Sequence, residues 1–150
     1  MRNIENERSE NRNKLTRYVE TYLYITLLFL FLTRNSKEKN IFIISGIFQI
    51  IALFGLLTSK NNIIEITHVI MAIFLITVGI FFNSLYINIY ILLVILVIGY
   101  TRIVYDSCLF YNSKVESENG LFKLVPVYFT EFILVSLTGI TIYKLVNIIK

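Results

Sequence analysis

The chain has few of the residues on which many metal and thiol sites depend. Its one cysteine, Cys108, excludes an intrachain disulfide and a metal site built from several cysteines. Its one histidine, His68, excludes a haem held by two histidines of the same subunit, and it leaves Glu65-x-x-His68 as only half of a helical di-iron motif. We therefore assign no catalytic residue, no cofactor and no metal ligand from the sequence.

Three further residue types are scarce: tryptophan is absent, proline occurs once, and alanine occurs only at positions 52 and 72. The abundant residues, Ile, Asn, Phe, Tyr and Lys, have AT-rich codons, whereas the scarce ones mostly have GC-rich codons. This bias predicts an AT-rich genome, such as that of a large DNA virus, an AT-rich protist or an organelle.

Charge is also scarce, since charged residues make up 16% of the chain, against about 25% in a typical soluble domain. Hydrophobic residues make up 56%, and the mean hydropathy is +0.70. The longest apolar stretch runs from Ile63 to Tyr105 and is interrupted in its middle by Asn83, Ser84 and Asn88. A single helix of that length would reach roughly 60 Å, twice the hydrocarbon thickness of a bilayer, so the stretch predicts a transmembrane hairpin.

The whole pattern predicts an all-α, polytopic transmembrane helix bundle. Residues 1–17 are expected to form a polar, flexible N-terminal tail, and 18–150 a single transmembrane domain with spans at about 18–33, 41–58, 63–82, 87–105 and 124–143. Glu20 lies near the start of the first span, so the alternative is four spans plus an interfacial helix. Short connections between the first four spans favour antiparallel neighbours.

Basic residues and tyrosines predict how the bundle lies in the membrane. With five spans, nine of the 14 Lys and Arg residues fall on the N-terminal side and five on the other, so the N-terminus is predicted to be cytoplasmic. Without tryptophan, tyrosine alone can occupy the interfacial belts. The tyrosines expected there are Tyr18, Tyr22, Tyr24, Tyr86, Tyr90, Tyr100, Tyr105, Tyr128 and Tyr143.

Polar residues within the spans are the candidates for function, because a charge at mid-helix costs about 2.5 to 3.5 kcal/mol on insertion scales. Alternating span directions place most of them in the N-terminal-side half of the membrane. The candidate intramembrane cluster is Glu65, His68, Arg102, Asp106 and Glu131, and the secondary candidates are Glu20, Gln49 and Tyr128. On the second span, Ser45, Gln49 and Ala52 share one helical face suited to close packing.

Two interpretations of this cluster differ in function. In the one we favour, charges near span ends reach interfacial water, and Arg102 pairs with Asp106 one turn away. In the other, Glu131, Glu65 and His68 form a proton or ion pathway, with Glu131 the deepest of them.

The sequence as a whole favours a non-enzymatic accessory or scaffold component of a membrane or membrane complex. The alternatives are a small oligomeric proton or ion transporter or channel that uses the Glu/His/Arg cluster, and a membrane-embedded lipid-metabolising enzyme with Glu131 or His68 as acid or base. The expected partners are the lipid bilayer, further copies of the chain and other membrane proteins. Nucleic acid is not expected, because the chain has no basic stripe and no aromatic platform.

Overall fold

A computed structural model describes residues 2–105 and 127–150, with side chains at 13–60, 62–100 and 132–150. Within these residues the chain forms helices and no strand. The five helices are α1 (Arg2–Leu32), α2 (Lys39–Leu57), α3 (Asn61–Phe81), α4 (Leu85–Tyr105) and α5 (Val127–Ile149). The predicted all-α helix bundle is confirmed.

Helix α1 begins earlier than the sequence predicted. A tail was expected through residue 17, but the helix starts at Arg2 and continues to Leu32. Glu, Arg and Lys, which are common in this segment, are favourable helix formers because their straight side chains lose little rotamer freedom in a helix. The polarity of the first residues therefore did not exclude a helix there.

Four of the helices are long and apolar enough to cross a membrane. These candidate spans are Asn13–Leu32, Lys39–Leu57, Asn62–Phe81 and Phe132–Ile149. Helix α4 has 21 residues, and its apolar part among the described side chains, Leu85–Tyr100, is shorter than these spans. Helix α5 ends at Ile149, beyond the predicted end at 143, and the predicted residues 124–126 lie outside the described part of the chain.

The first four helices run antiparallel to their neighbours, as predicted: Leu15 of α1 and Ile64 of α3 cluster with Leu56 at the end of α2, and Gly79 near the end of α3 lies close to Ile91 of α4. Helix α2 packs extensively against both α1 and α3, and α4 packs mainly against α5. The largest apolar core joins residues of all five helices, including Phe29, Phe42, Val78, Tyr90 and Leu137. A second, smaller core is formed by Leu15, Val19, Ala52, Leu56 and Ile64, where the N-terminal half of α1 meets the end of α2 and the start of α3.

The outer surface of the bundle is apolar and parts of its interior are polar. Ile50 on α2 and Val135 on α5 are 57% and 73% exposed, whereas Ser45 and Gln49 on α2 are buried. Soluble proteins expose few contiguous apolar patches of this kind, and a helix surface facing lipid has no need of polar groups. The distribution is that of a helical membrane protein.

The turn between α2 and α3 is stabilised by a Schellman motif. The Lys60 N–H donates to the Gly55 carbonyl at 2.9 Å, and the Ser59 N–H donates to the Leu56 carbonyl at 3.3 Å. Ser59 takes the left-handed conformation this motif requires, with φ of 56°. The motif satisfies carbonyls at the end of α2 and reverses the chain within three residues, Thr58 to Lys60.

Candidate functional site: a buried polar network and the cavity beside it

Four polar side chains from three helices meet inside the bundle around the hydroxyl of Tyr90. Thr26 Oγ1 on α1 and Ser45 Oγ on α2 each lie 2.8 Å from Tyr90 Oη on α4. The two N–H hydrogens of the Gln49 amide on α2 are shared among three oxygens, Thr26 Oγ1 at 2.8 Å, Tyr90 Oη at 3.1 Å and Ser45 Oγ at 3.2 Å from the nitrogen. We call Thr26, Ser45, Gln49 and Tyr90 the Tyr90 network; all four are buried.

The hydroxyl protons of the Tyr90 network have one consistent arrangement. Thr26 donates to the backbone carbonyl of Tyr22 at 2.9 Å, so Tyr90 must donate to Thr26. Ser45 then donates to Tyr90. The chain of donors runs from Ser45 through Tyr90 and Thr26 to a backbone carbonyl, and each hydroxyl proton is used once. These hydrogen bonds tie α1, α2 and α4 together in a medium that offers no water to replace them.

Two aromatic rings pack against the ring of Tyr90. The Tyr90 ring meets the rings of Phe29 and Phe42 edge to face, with centroid distances of 5.5 and 5.3 Å, and those two phenylalanines stack at 5.5 Å. Edge-to-face pairs add packing energy beyond the burial of area. The network is therefore enclosed by apolar side chains that fix the orientation of the Tyr90 ring.

A cavity of about 110 Å³ lies beside the Tyr90 network and is bordered by α1, α2, α3 and α4. The surface that the cavity exposes is mostly apolar, although its lining residues include Tyr18, Tyr22, Gln49, Thr67 and His68. The amide oxygen of Gln49 is buried and has no hydrogen-bond partner among the described residues. The full lining is Leu15, Tyr18, Val19, Tyr22, Gln49, Ala52, Thr67, His68, Met71, Ala72, Leu75, Val94 and Ile98.

The structure brings some of the predicted site residues together and separates one from the rest. Gln49 and His68 both line the cavity, and Glu65 lies three residues before His68 on α3. Glu20 is on the exposed surface of α1. Arg102, Tyr128 and Glu131 belong to α4 and α5, but their side chains, and all of Asp106, lie outside the described residues. The grouping of the five charged residues therefore stays a prediction.

Among the described residues, no three His, Cys, Asp or Glu side chains are placed to hold a metal ion. Sequence reasoning had singled out two members of the Tyr90 network, Ser45 and Gln49, as a packing face, and it missed the other two. Tyr90 was expected at an interface but is buried in the core, because it shares a face with Ile87, Ile91 and Val94. The three- and four-residue spacing of these apolar residues was the sequence pattern that could have predicted burial of Tyr90.

A second polar feature joins α5 to the end of α3. Lys144 Nζ donates to the carbonyls of Gly79 and Ile80, each at 2.8 Å, and to that of Phe82 at 2.9 Å. Carbonyls at a helix C-terminus lack intrahelical partners and carry partial negative charge, so they bind an ammonium group well. We call this contact the Lys144 cap. The sequence indicated only that Lys144 lies near a membrane surface.

Comparison of the chain with models of protein families, with curated proteins and with solved structures finds no match. The chemistry of the site must be argued from its own residues. They form a hydrogen-bonded link between three helices, and a largely apolar cavity lies beside it.

Proposed function

We propose that this protein is a non-enzymatic accessory or scaffold component of a membrane or membrane complex. The observation that carries the proposal is the Tyr90 network: its hydroxyl protons are all used in bonds within the bundle, where they hold α1, α2 and α4 together. Because these hydroxyl groups are bonded to one another, they hold the helices in fixed relative positions, as a structural component requires. The apolar outer faces suit that body to packing against other membrane proteins or further copies of itself.

A proton or ion pathway would use groups near the membrane midplane differently. It needs polar side chains that can change partners and take up or release protons as the ion passes. The cavity that reaches Gln49 is lined mainly by Leu, Ile, Val, Met and Ala side chains, which offer an ion no ligands. The transporter alternative has one observation in its favour, since His68 of the predicted cluster lines this cavity.

Ion flux and photo-crosslinking together test the proposal. Purified protein in liposomes is expected to pass neither protons nor cations at any pH between 5 and 8, with wild type, Glu131→Gln and His68→Gln indistinguishable. A photo-crosslinking residue at exposed Val135 or Ile50 is expected to give discrete protein adducts in the native membrane, and one at buried Leu137 is the matched control that gives none. Wild-type flux lost in Glu131→Gln would replace this proposal with the transporter.

We further propose five spans with a cytoplasmic N-terminus, in a membrane of an organism, organelle or large virus with an AT-rich genome. The tally of basic residues and the alternating helix directions support this topology. On a Cys108→Ser background, Asn35→Cys and Asn83→Cys should react with an impermeant maleimide from the side opposite to Lys60→Cys. An N-terminal tag protected together with Lys60→Cys fits five spans. A tag on the side of Asn35 would indicate an interfacial α1 and four spans.

A further inference from the structure

One end of the bundle carries exposed positive charge. Three parts of the chain meet there: the turn from α1 to α2, the turn from α3 to α4, and the end of α5. The contact of Phe29 with Tyr90 and the hydrogen bond from Lys144 to the Phe82 carbonyl bring these parts to the same end. Within the described residues its exposed cations are Arg34, Lys37, Lys39 and Lys150, and its one acidic side chain is that of Glu38. We call this surface the basic end.

The α1–α2 turn, residues 33–38, holds its cations in an ordered backbone. The Ser36 N–H and hydroxyl both donate to the Thr33 carbonyl, at 2.8 and 3.0 Å, and the Glu38 N–H donates to Ser36 Oγ at 3.2 Å. The guanidinium of Arg34 lies 5.1 Å from the centre of the Phe31 ring, whose face attracts a cation. No ion pair neutralises the cations of this turn within the described residues.

Apolar surface adjoins the cations on the membrane side. Leu28, Phe31 and Leu32, in the last turns of α1, are exposed large side chains that directly precede the turn in the chain. In a bilayer, side chains at this position contact acyl chains, while the charges of the turn reach the headgroup layer. A phospholipid has the same two parts in the same order, a phosphate at the surface and apolar chains below it.

We propose that the basic end binds an anionic phospholipid, with Arg34 and Lys37 pairing with its phosphate and its acyl chains lying along Leu28, Phe31 and Leu32. A guanidinium can bind two phosphate oxygens at once, and an ammonium adds a compact charge. Charge complementarity favours this occupant over a second copy of the chain, because two basic ends repel each other. The proposal holds whichever side of the membrane this end faces, and it does not depend on the proposed accessory function.

Lipid binding in neutral detergent micelles tests the proposal. Acyl-labelled phosphatidylglycerol is titrated into purified protein and followed by fluorescence anisotropy. Phosphatidylcholine with the same label is the control, because it has the same phosphate and chains but no net charge. We expect phosphatidylglycerol to bind about tenfold or more tightly. Raising the salt from about 0.1 to 1 M should remove most of that preference, since the Debye length falls from about 10 to 3 Å.

Two double variants separate the basic end from net charge. Arg34→Gln with Lys37→Gln should weaken phosphatidylglycerol binding by about ten- to thirtyfold and leave phosphatidylcholine binding unchanged. Arg17→Gln with Lys60→Gln is the matched control: it removes one exposed arginine and one exposed lysine at the opposite end and should keep the preference. Each pair includes one cation that lies over a phenylalanine ring. The charge-conserving exchange Arg34→Lys with Lys37→Arg should also keep the preference.

Equal preference of wild type for the two lipids, or equal losses in the two glutamine pairs, would overturn the proposal. Competition by glycerol phosphate as effective as that by unlabelled phosphatidylglycerol would replace the lipid with a free phosphate. Displacement by polyglutamate at lower concentration than by the lipid would replace it with an acidic protein segment. Helical circular dichroism and size-exclusion elution identify folded variants. If the Arg34 and Lys37 pair does not fold, Lys37→Gln alone decides, with a smaller expected loss.

Discussion

Two buried amide side chains, Gln49 and Asn88, differ in the hydrogen bonds of their amide nitrogens, while the amide oxygen of each has no partner among the described residues. Gln49 on α2 donates to three hydroxyl oxygens. Asn88, in the first turns of α4, is 0% exposed, and neither its amide oxygen nor its amide nitrogen has a partner within the described residues. A buried polar group stabilises a fold only when it is bonded, so the bonded nitrogen of Gln49 favours the folded state, whereas Asn88 has no such bond to offset its burial.

Replacing each amide by leucine should therefore move stability in opposite directions. Gln49→Leu removes the donor shared by Thr26, Ser45 and Tyr90, and we expect it to lower the free energy of unfolding by about 1 to 2 kcal/mol. Asn88→Leu replaces an unpartnered amide by an apolar group of similar size, and we expect a gain of about 1 kcal/mol. Unfolding with sodium dodecyl sulfate in mixed micelles measures both. Destabilisation by both variants would show that Asn88 has a partner outside the described residues.

Sequence patterns predicted which residues of one helix share a face, but not what that face meets. The shared face of Ser45, Gln49 and Ala52 was predicted correctly, because it follows from 3.6 residues per turn. That this face meets Tyr90 depends on how α4 is rotated about its axis. Rotation is set by the summed packing of many side chains, as where Phe29 and Phe42 enclose the Tyr90 ring, and no local pattern encodes it.

At the scale of the helix, Ser59 occupies a position that glycine normally takes. Its φ of 56° costs a residue with a Cβ atom energy that glycine does not lose. We expect Ser59→Gly to raise the free energy of unfolding by a few tenths to about 1 kcal/mol, and Ser59→Val to lower it, because β-branched residues tolerate this conformation worst. The order Gly, Ser, Val in thermal midpoint is the expected result, and any order with Val above Ser would contradict the assignment of the turn.

The Lys144 cap is expected to hold α5 on α3. Lys144→Met keeps the apolar stem but leaves the carbonyls of Gly79, Ile80 and Phe82 without their ammonium partner. We expect a loss of about 1 to 2 kcal/mol in the free energy of unfolding. Lys150→Met, which removes an exposed lysine at the end of the chain, is the control and should have little effect. Equal effects of the two changes would mean that the cap contributes nothing beyond net charge.

Helix existence was predictable from the sequence, but helix ends were less so. The apolar runs that became α2, α3 and α4 ended in polar clusters, and their predicted bounds differ from the observed ones by two residues at each start and by at most one at each end. The start of α1 was missed because a polar helix has no apolar periodicity to reveal it. The Lys144 cap was equally hidden, since it joins residues that are 62 to 65 positions apart in the chain.

At the scale of the whole molecule, burial is uneven among the candidate spans. In the most hydrophobic window of each, 44% of the α2 residues are buried within the bundle but only 11% of those of α5. Helix α2 is thus a central helix between α1 and α3, and α5 has most of its surface left for lipid or another protein. A membrane surrounds such a bundle with a medium as apolar as its surface, so exposure of apolar side chains carries no penalty there.

Replacing an exposed residue of α2 by arginine would distinguish a membrane-embedded bundle from a soluble one. Ile50 is 57% exposed and lies near the middle of the Lys39–Leu57 span. In water, exposed Ile50→Arg would change stability little, but at mid-membrane an arginine costs about 2.5 to 3.5 kcal/mol. We expect Ile50→Arg to reduce strongly the fraction of protein that resists carbonate extraction from membranes. Asn40→Arg, an exposed change at the start of the same helix, should remain integrated as wild type does, because its charge reaches interfacial water. Unchanged integration of Ile50→Arg would mean that this face of α2 does not contact the hydrocarbon core.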